Sequence, residues 1–205
     1  MRRRRFRGPI DRLTSGLPQP WRTLVDWGLT IGIAVAVVFL LKAYVVNPYR
    51  IPSSSMEPTF HCAVPGVGCE ASRSDRVIAN RFIYHFEEPE RGDIVVFDTP
   101  SRAESACGIG GVFVKRIVGL PDEEIAQAGG VVYIDGRPLK ELYLQPERAG
   151  GRDFAGVAIP DDQYFMMGDN RRQSCDSRNW GTVPRENLIG PVFLIYWPVD
   201  RLDFR

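Results

Sequence analysis

One long apolar run dominates the first quarter of the chain: WGLTIGIAVAVVFLL over 27–41, resuming after Lys42 over 43–46. At about 1.5 Å rise per residue, some 20 residues reach about 30 Å, the thickness of a bilayer's hydrocarbon core. A single transmembrane helix over 27–46 is therefore predicted. Lys42 can snorkel to the headgroups there, and Trp21, Trp27, Tyr44 and Tyr49 sit where interfacial aromatics are favoured. No amphipathic helical stripe of comparable length follows. Residues 47–205 instead carry short runs rich in Val, Ile, Phe and Tyr, bounded by Gly, Pro and Asp, over 76–84, 93–98, 112–119, 131–134, 164–168 and 192–197. These predict a mainly β domain. Asp135-Gly136 predicts a type I′ hairpin turn, because both central positions of that turn need positive φ. The polar, Gly-rich stretch over 145–156 reads as a surface loop.

Charge changes the picture of the two ends. The 205 residues have a net charge of +1, which argues against a dedicated nucleic-acid binder, and the length suits one catalytic-sized domain. That balance is a cancellation: residues 1–50 hold nine Lys and Arg against two acids, and the remainder holds 17 against 23. Seven arginines (Arg2, Arg3, Arg4, Arg5, Arg7, Arg12, Arg22) precede the apolar run, while only Lys42 and Arg50 follow it closely. The positive-inside bias then keeps a basic tail of residues 1–26 in the cytoplasm and exports residues 47–205. A cleaved signal peptide fits less well, since the run is long and YVVNPYR lacks small residues in an A-x-A pattern. The lipid bilayer is thus an expected partner, and the arginine tail is read as topogenic rather than RNA-binding.

Four cysteines in an exported domain allow three complete pairings. Cys62 and Cys69 enclose a short AVPGVG turn that can close locally, which leaves Cys107 with Cys175; this pairing is preferred. His61, Cys62, Cys69 and His85 lack metal-ligand spacing, so no metal or other cofactor is expected.

Candidate chemistry begins in YRIPSSSMEPTF, residues 49–60. Ser55 lies nine residues beyond Val46, so even an extended chain holds it within about 30 Å of the bilayer. A serine hydroxyl needs a base. His61 follows by six residues, but no carboxylate is evident to orient it. Lys115 is the stronger candidate. If 112–118 is a strand, Lys115 shares a face with Phe113 and Ile117, while Arg116 points the other way with Val114 and Val118. Burial on that apolar face lowers a lysine's pKa toward the range a general base requires, whereas arginine is not deprotonated.

IPSSSMEPT, RGDIVVF (91–97), VKRIVGLP (114–121) and MGDNRRQSCDSRNWG (167–181) together resemble, in order, the boxes of bacterial type I signal peptidase, the membrane-anchored Ser/Lys family that removes signal peptides. The resemblance spans about 48–198. It implies a signal-peptidase-like β-sheet or barrel catalytic domain after a single N-terminal transmembrane helix in the bacterial cytoplasmic membrane. It assigns Ser55 as nucleophile and Lys115 as general base. Ser53 resembles the residue whose hydroxyl joins the Ser55 N–H in the oxyanion hole, and Ser174 the serine that orients the lysine. Asp176 and Arg178 match positions that hold the region together, and Asp169, Asn170 and Arg171 are expected to scaffold the loop. A side chain at Gly168 is expected to crowd the lysine. The chain departs from the family pattern at Asp122, where the G-L-P-G-D turn would have glycine, at Phe60, and in the insert between Cys62 and Cys69. The implied substrates are exported preproteins, bound as extended strands and cut after small residues of A-x-A type. Two other readings are a self-cleaving Ser/Lys peptidase and a catalytically inactive membrane-tethered binding module. The joint presence of Ser55, Lys115 and Ser174 argues against an inactive module. An N-terminal anchor without a helix-turn-helix argues against the self-cleaving type.

Overall fold

The computed structural model of the protein describes residues 18–44 and 46–205, which fall into two compact units, 1–45 and 46–205. The arginines of the predicted tail from Arg2 to Arg12 lie outside the described residues. In the first unit, helix α1 (Gln19–Tyr44) starts with proline in its first turn, where the missing N–H costs nothing. Its large apolar side chains, among them Leu24, Val25, Trp27, Leu29, Ile33 and Val37, are exposed all round it rather than along one stripe. Among the described residues no helix is long and apolar enough to cross a membrane. The helix ends at Tyr44 and not at Val46: Pro48 disfavours helical backbone at Asn47, and Val46 already pairs with Asn80 as the first residue of a strand.

The second unit is mainly β. Strands β1 (Val46–Arg50), β2 (Arg76–Asn80), β3 (Ile94–Asp98) and β4 (Val112–Gly119) are followed by β5 (Glu124–Ala128), β6 (Val131–Ile134), β7 (Arg137–Pro138) and β8 (Phe154–Ala158). Then come β9 (Gln163–Met167), β10 (Val183–Pro184), β11 (Leu188–Trp197) and β12 (Asp203–Phe204). Two short helices, α2 (Ser101–Cys107) and α3 (Ser177–Trp180), interrupt them. One antiparallel sheet runs β1-β2-β11-β3-β4-β9-β10, with β12 on β11, and a second runs β7-β6-β5-β8. Asp135 and Gly136 turn between β6 and β7 with φ of 50° and 74°, the positive pair expected of the hairpin.

Some predicted bounds shift for local reasons. The strand expected over 76–84 stops at Asn80, whose Oδ1 accepts the N–H groups of Phe82 and Ile83 and starts a tight turn. The loop expected over 145–156 gives way at Phe154 to β8, because that ring stacks on Phe165 and its backbone pairs with Gln127. Both predicted disulfides are formed, Cys62–Cys69 and Cys107–Cys175.

The two edges of β4 are unequally paired. On one edge it pairs along its whole N-terminal half with β3, Val112 opposite Asp98 and Lys115 opposite Val95. On the other edge, β9 pairs only from Arg116 onward. That second edge of 112–114 therefore has no strand beside it among the described residues.

Candidate active site

The serine segment leaves β1 and is pinned at both ends. Ile51 is buried and its N–H donates to Asp75 O, while Met56 and Phe60 sink into the same core cluster, with the Phe60 N–H on Met56 O. Between these anchors Ser54–Met56 forms one 3-10 turn, closed by the Glu57 N–H on Ser54 O at 3.0 Å. Two polar residues, Ser54 and Ser55, are thereby buried against the core, while Ser53 stays exposed.

Lys115 comes to this turn from the middle of β4. Its Nζ donates to Ser55 Oγ at 2.5 Å, and the ring of Phe113 lies 5.4 Å away on the same face, as strand alternation requires. Lys115 is only 3% exposed, and no carboxylate ion-pairs with it among the described residues. Burial lowers its pKa from 10.5 to about 8; the Asp176 and Asp169 carboxylates oppose that shift from farther off, and the Arg178 charge adds to it. A sizeable neutral fraction at physiological pH follows, with the amine in hydrogen-bond contact with a hydroxyl. Such a pair can transfer a proton from oxygen to nitrogen. Ser53 Oγ stands 3.3 Å from Ser55 Oγ on the open side.

Arg116, the next residue, points the opposite way into a different environment. Its Nε and Nη2 donate to the two oxygens of Asp169 at 2.9 and 2.7 Å, and its guanidinium lies 3.9 Å from the Tyr143 ring centroid. Thr59 Oγ1 also donates to Asp169 Oδ2, at 2.5 Å. The segment from Gly168 to Arg178 is built around such bonds. Asn170 donates from its N–H to Ser55 O at 3.0 Å and from Nδ2 to Ser54 O at 3.1 Å, so it braces the serine turn from behind. The buried carboxylate of Asp176 accepts from Gly168 N, and Arg178 Nε and Nη2 donate to its two oxygens at 2.8 and 2.7 Å. Asp176 also caps α3 in a capping box with Asn179. Arg171 is buried against Glu141 and donates from Nε to Gly168 O at 3.1 Å.

Gly168 sits where a side chain has no room: a Cβ would fall 2.3 Å from Ser174 Oγ and 2.4 Å from Ser55 O. The expected crowding is thus against Ser174 and the serine turn, and the lysine is not among the atoms met first. Ser174 itself is brought to the site, but its buried Oγ has no hydrogen-bond partner, so no bond to Lys115 is made. His61 takes another direction. Its Nδ1 pairs with the fully buried Glu57, whose other oxygen accepts from Cys62 N. A carboxylate does therefore orient this histidine, contrary to the sequence reading, but both belong to the turn after the serines and neither bonds to Ser55. Glu57, Glu141, Tyr143 and Thr59 were not singled out in the sequence. Only Glu57 carried a local signal, its i, i+4 spacing to His61.

A cleft of about 360 Å³ opens over Ser55 and Lys115. Its walls are largely apolar, with Ile51, Met56, Phe113, Val114 and the Cys107–Cys175 bridge among them, and Arg50, Ser53 and Gln173 are polar members besides the two reacting groups. The free edge of β4 borders it. Among the described residues no cluster of His, Cys, Asp and Glu could hold a metal ion.

Comparison with known proteins adds an independent line. The sequence model of the family described as "Signal peptidase, peptidase S26" matches residues 24–197. The chain is 38% identical over 197 residues to signal peptidase I of Leptolyngbya laminosa, covering 95% of this chain and 90% of that protein. It is 40% identical over 183 residues to a Synechocystis protein named "Probable signal peptidase I-2", covering 89% and 78%. A solved signal peptidase I from Enterococcus faecalis V583 matches at 28% identity with a TM-score of 0.42, over 51% of this chain and 97% of that one.

Proposed function

The chain belongs to the signal peptidase family, peptidase S26, and from that membership we propose that Ser55 and Lys115 are the nucleophile and general base with which it removes signal peptides from exported preproteins. It is a serine endopeptidase, a hydrolase of peptide bonds. The observation that carries the dyad is the 2.5 Å contact between a buried, unpaired amine and a buried serine hydroxyl at the floor of an apolar cleft.

In the proposed reaction neutral Lys115 accepts the Ser55 proton as Oγ attacks the scissile carbonyl. The resulting ammonium returns that proton to the leaving amine as the C–N bond breaks, leaving an ester on Ser55. Lys115 then takes a proton from water as the oxygen adds to the ester carbonyl, and the ammonium returns that proton to Ser55 Oγ as the bond between the acyl carbon and Oγ breaks, which frees the acid product and restores the dyad. The Ser55 N–H and Ser53 hydroxyl serve as oxyanion donors, a contribution of about 3 kcal/mol for each donor in comparable acyl transfers. The buried Ser174 hydroxyl, beside Gly168 and the serine turn and without a hydrogen-bond partner, is proposed to accept a proton of Lys115 and so to orient it. Asp169, Asn170, Asp176 and Arg178 hold this frame without touching the reacting atoms.

An extended substrate completes the free edge of 112–114 by adding a strand, and the apolar walls admit small side chains and exclude bulk, which gives cleavage of A-x-A type. Residues 1–26 form the cytoplasmic tail, the predicted anchor from 27 ends with α1 at Tyr44, and the extracytoplasmic domain begins with β1 at Val46, in a single-pass bacterial inner-membrane protein. This topology rests on the arginine bias and on the apolar run, whose side chains are exposed all round α1.

Processing of a model preprotein by wild type, Ser55→Ala and Lys115→Met tests the dyad. Both variants are expected to be inactive, and wild-type kcat/KM is expected to rise with pH, pass its half-maximum at about 8 and level off above that as Lys115 loses its proton. Cleavage by either variant at the wild-type rate would refute the assignment.

A further inference from the structure

The turn that carries Ser55 is held from a side that the dyad chemistry does not use. Cys62 and Cys69 close a short loop rooted in the core, where both are buried. Ala63 and Ala71 bridge its base, and internal bonds from Gly66 N to Ala63 O and from Cys69 N to Gly66 O stiffen it. Its tip does not fold inward to bury apolar surface, since Val64 and Val67 remain exposed. What it does reach is Ser54. The Val67 carbonyl accepts the Ser54 hydroxyl at 2.9 Å, and the same hydroxyl lies 3.2 Å from Gln173 Oε1.

Gln173 closes the circuit: Asn170 Nδ2 reaches both its Oε1 at 3.2 Å and Ser54 O at 3.1 Å. Gly68, at φ +73°, packs into this junction so closely that a Cβ would fall 1.9 Å from Gln173 Oε1 and 2.8 Å from Ser54 Oγ. Ser54 and Ser55 share one 3-10 turn, so rotation of the first displaces the second.

We propose that the disulfide-closed loop 62–69 is a positioning element for the nucleophile, acting through Ser54 and Gln173 to set Ser55 Oγ against Lys115. The proposal rests on the Ser55–Lys115 reading of the site. The loop touches neither reacting atom; it fixes the backbone from which Ser55 projects. A displacement of about 1 Å at a reacting oxygen suffices to slow chemistry about 100-fold.

The test is a cycle of full-length variants, Ser54→Ala, Cys62→Ala/Cys69→Ala and their combination, with Gly68→Ala as a variant that keeps the disulfide. Each is assayed on a model preprotein under single-turnover conditions, with folding followed by circular dichroism. The expected result is a fall in kcat of about 10- to 100-fold in each, KM within about twofold, and a combined variant no slower than the slower single one. Gly68→Ala should show the same kcat loss with both cysteines still paired. Unchanged kcat in Ser54→Ala or Gly68→Ala, losses that multiply in the combination, or a change confined to KM would each overturn the proposal. Ser55→Ala run alongside separates the two readings: residual cleavage there defeats the dyad itself, whereas an inactive Ser55→Ala beside fully active loop variants defeats only the positioning role.

Discussion

Lys115 and Arg116 are neighbours on β4, both cationic and both more than nine-tenths buried, yet the two sides of the strand treat their charges oppositely. On one side Arg116 meets a carboxylate that accepts two of its hydrogen bonds, with an aromatic ring against the guanidinium. On the other side Lys115 meets Phe113 and a serine hydroxyl, and burial depresses its pKa to about 8. The first cation is placed to stay charged and to bind Asp169 into the loop behind the nucleophile. The second is placed to lose its charge. Side-chain chemistry matches each environment, because a guanidinium forks onto a carboxylate and does not deprotonate, whereas an ammonium adapts its pKa to burial.

The most severe way to break this contrast is to put an arginine on both sides. Lys115→Arg preserves charge and length but supplies no base, and cleavage of a preprotein is expected to fall by about 10⁴-fold or more, as when one member of a nucleophile–base unit is lost. Single-turnover cleavage measures it directly. A variant retaining even a hundredth of the wild-type rate would mean that another group accepts the serine proton.

Removing the partner on the opposite side acts on stability. Arg116→Met leaves the Asp169 carboxylate buried at 1% exposure without its cation, and the expected loss is about 3–5 kcal/mol in urea unfolding. Arg116→Lys should recover only part of it, since a point charge cannot reproduce the two-pronged contact.

Gly168 links the two sides, lying between Ser55 O and Ser174 while its N–H is held by Asp176. In Gly168→Ala the methyl group must push the serine turn or Ser174 aside. The expected result is a kcat reduced about 100-fold with little change in KM. An alanine variant with wild-type kcat would show that the turn can shift without cost.

How much of this contrast can be read from the sequence differs between its halves. The bounds of β4 and β6 follow from Val and Ile runs ended by glycine, and period-two alternation alone separates Lys115 from Arg116. Both cysteine pairings were legible too, the first from a short enclosed turn and the second as the remainder. The partners were not. Asp169 lies 53 residues from Arg116, and Glu141 lies 30 from Arg171, distances at which only the folded sheet decides which charges meet. β5 escaped because EIAQA hides its alternation behind a buried glutamine, and β8 because glycines surround the one aromatic ring that anchors it.

The smallest expected effect on stability is that of Lys115→Met, inactive though it is, and it sharpens the comparison by reversing the sign found at Arg116. Methionine fills the apolar face without a charge, so the folded state no longer holds a buried ammonium, and the variant is expected to be more stable than wild type by roughly 2 kcal/mol at pH 7. This advantage must fade with pH in a defined window. Below about 8 the lysine is protonated in both folded and unfolded chains, and the wild type bears the full penalty. Between about 8 and 10.5 the unfolded chain holds the proton that the folded chain has lost, so wild-type stability rises relative to the variant. Above 10.5 the amine is neutral in both states and the penalty is gone. Tyr84 and Tyr143, whose hydroxyl pKa values are raised by burial, also titrate in the unfolded chain near this range, but they are common to both proteins and cancel in the difference. Urea unfolding of the pair at pH 7, 9 and 10.5 measures it. A stability gap that stays constant across these pH values would mean that Lys115 is not a depressed amine, and with it the contrast between the two faces of β4 would fail.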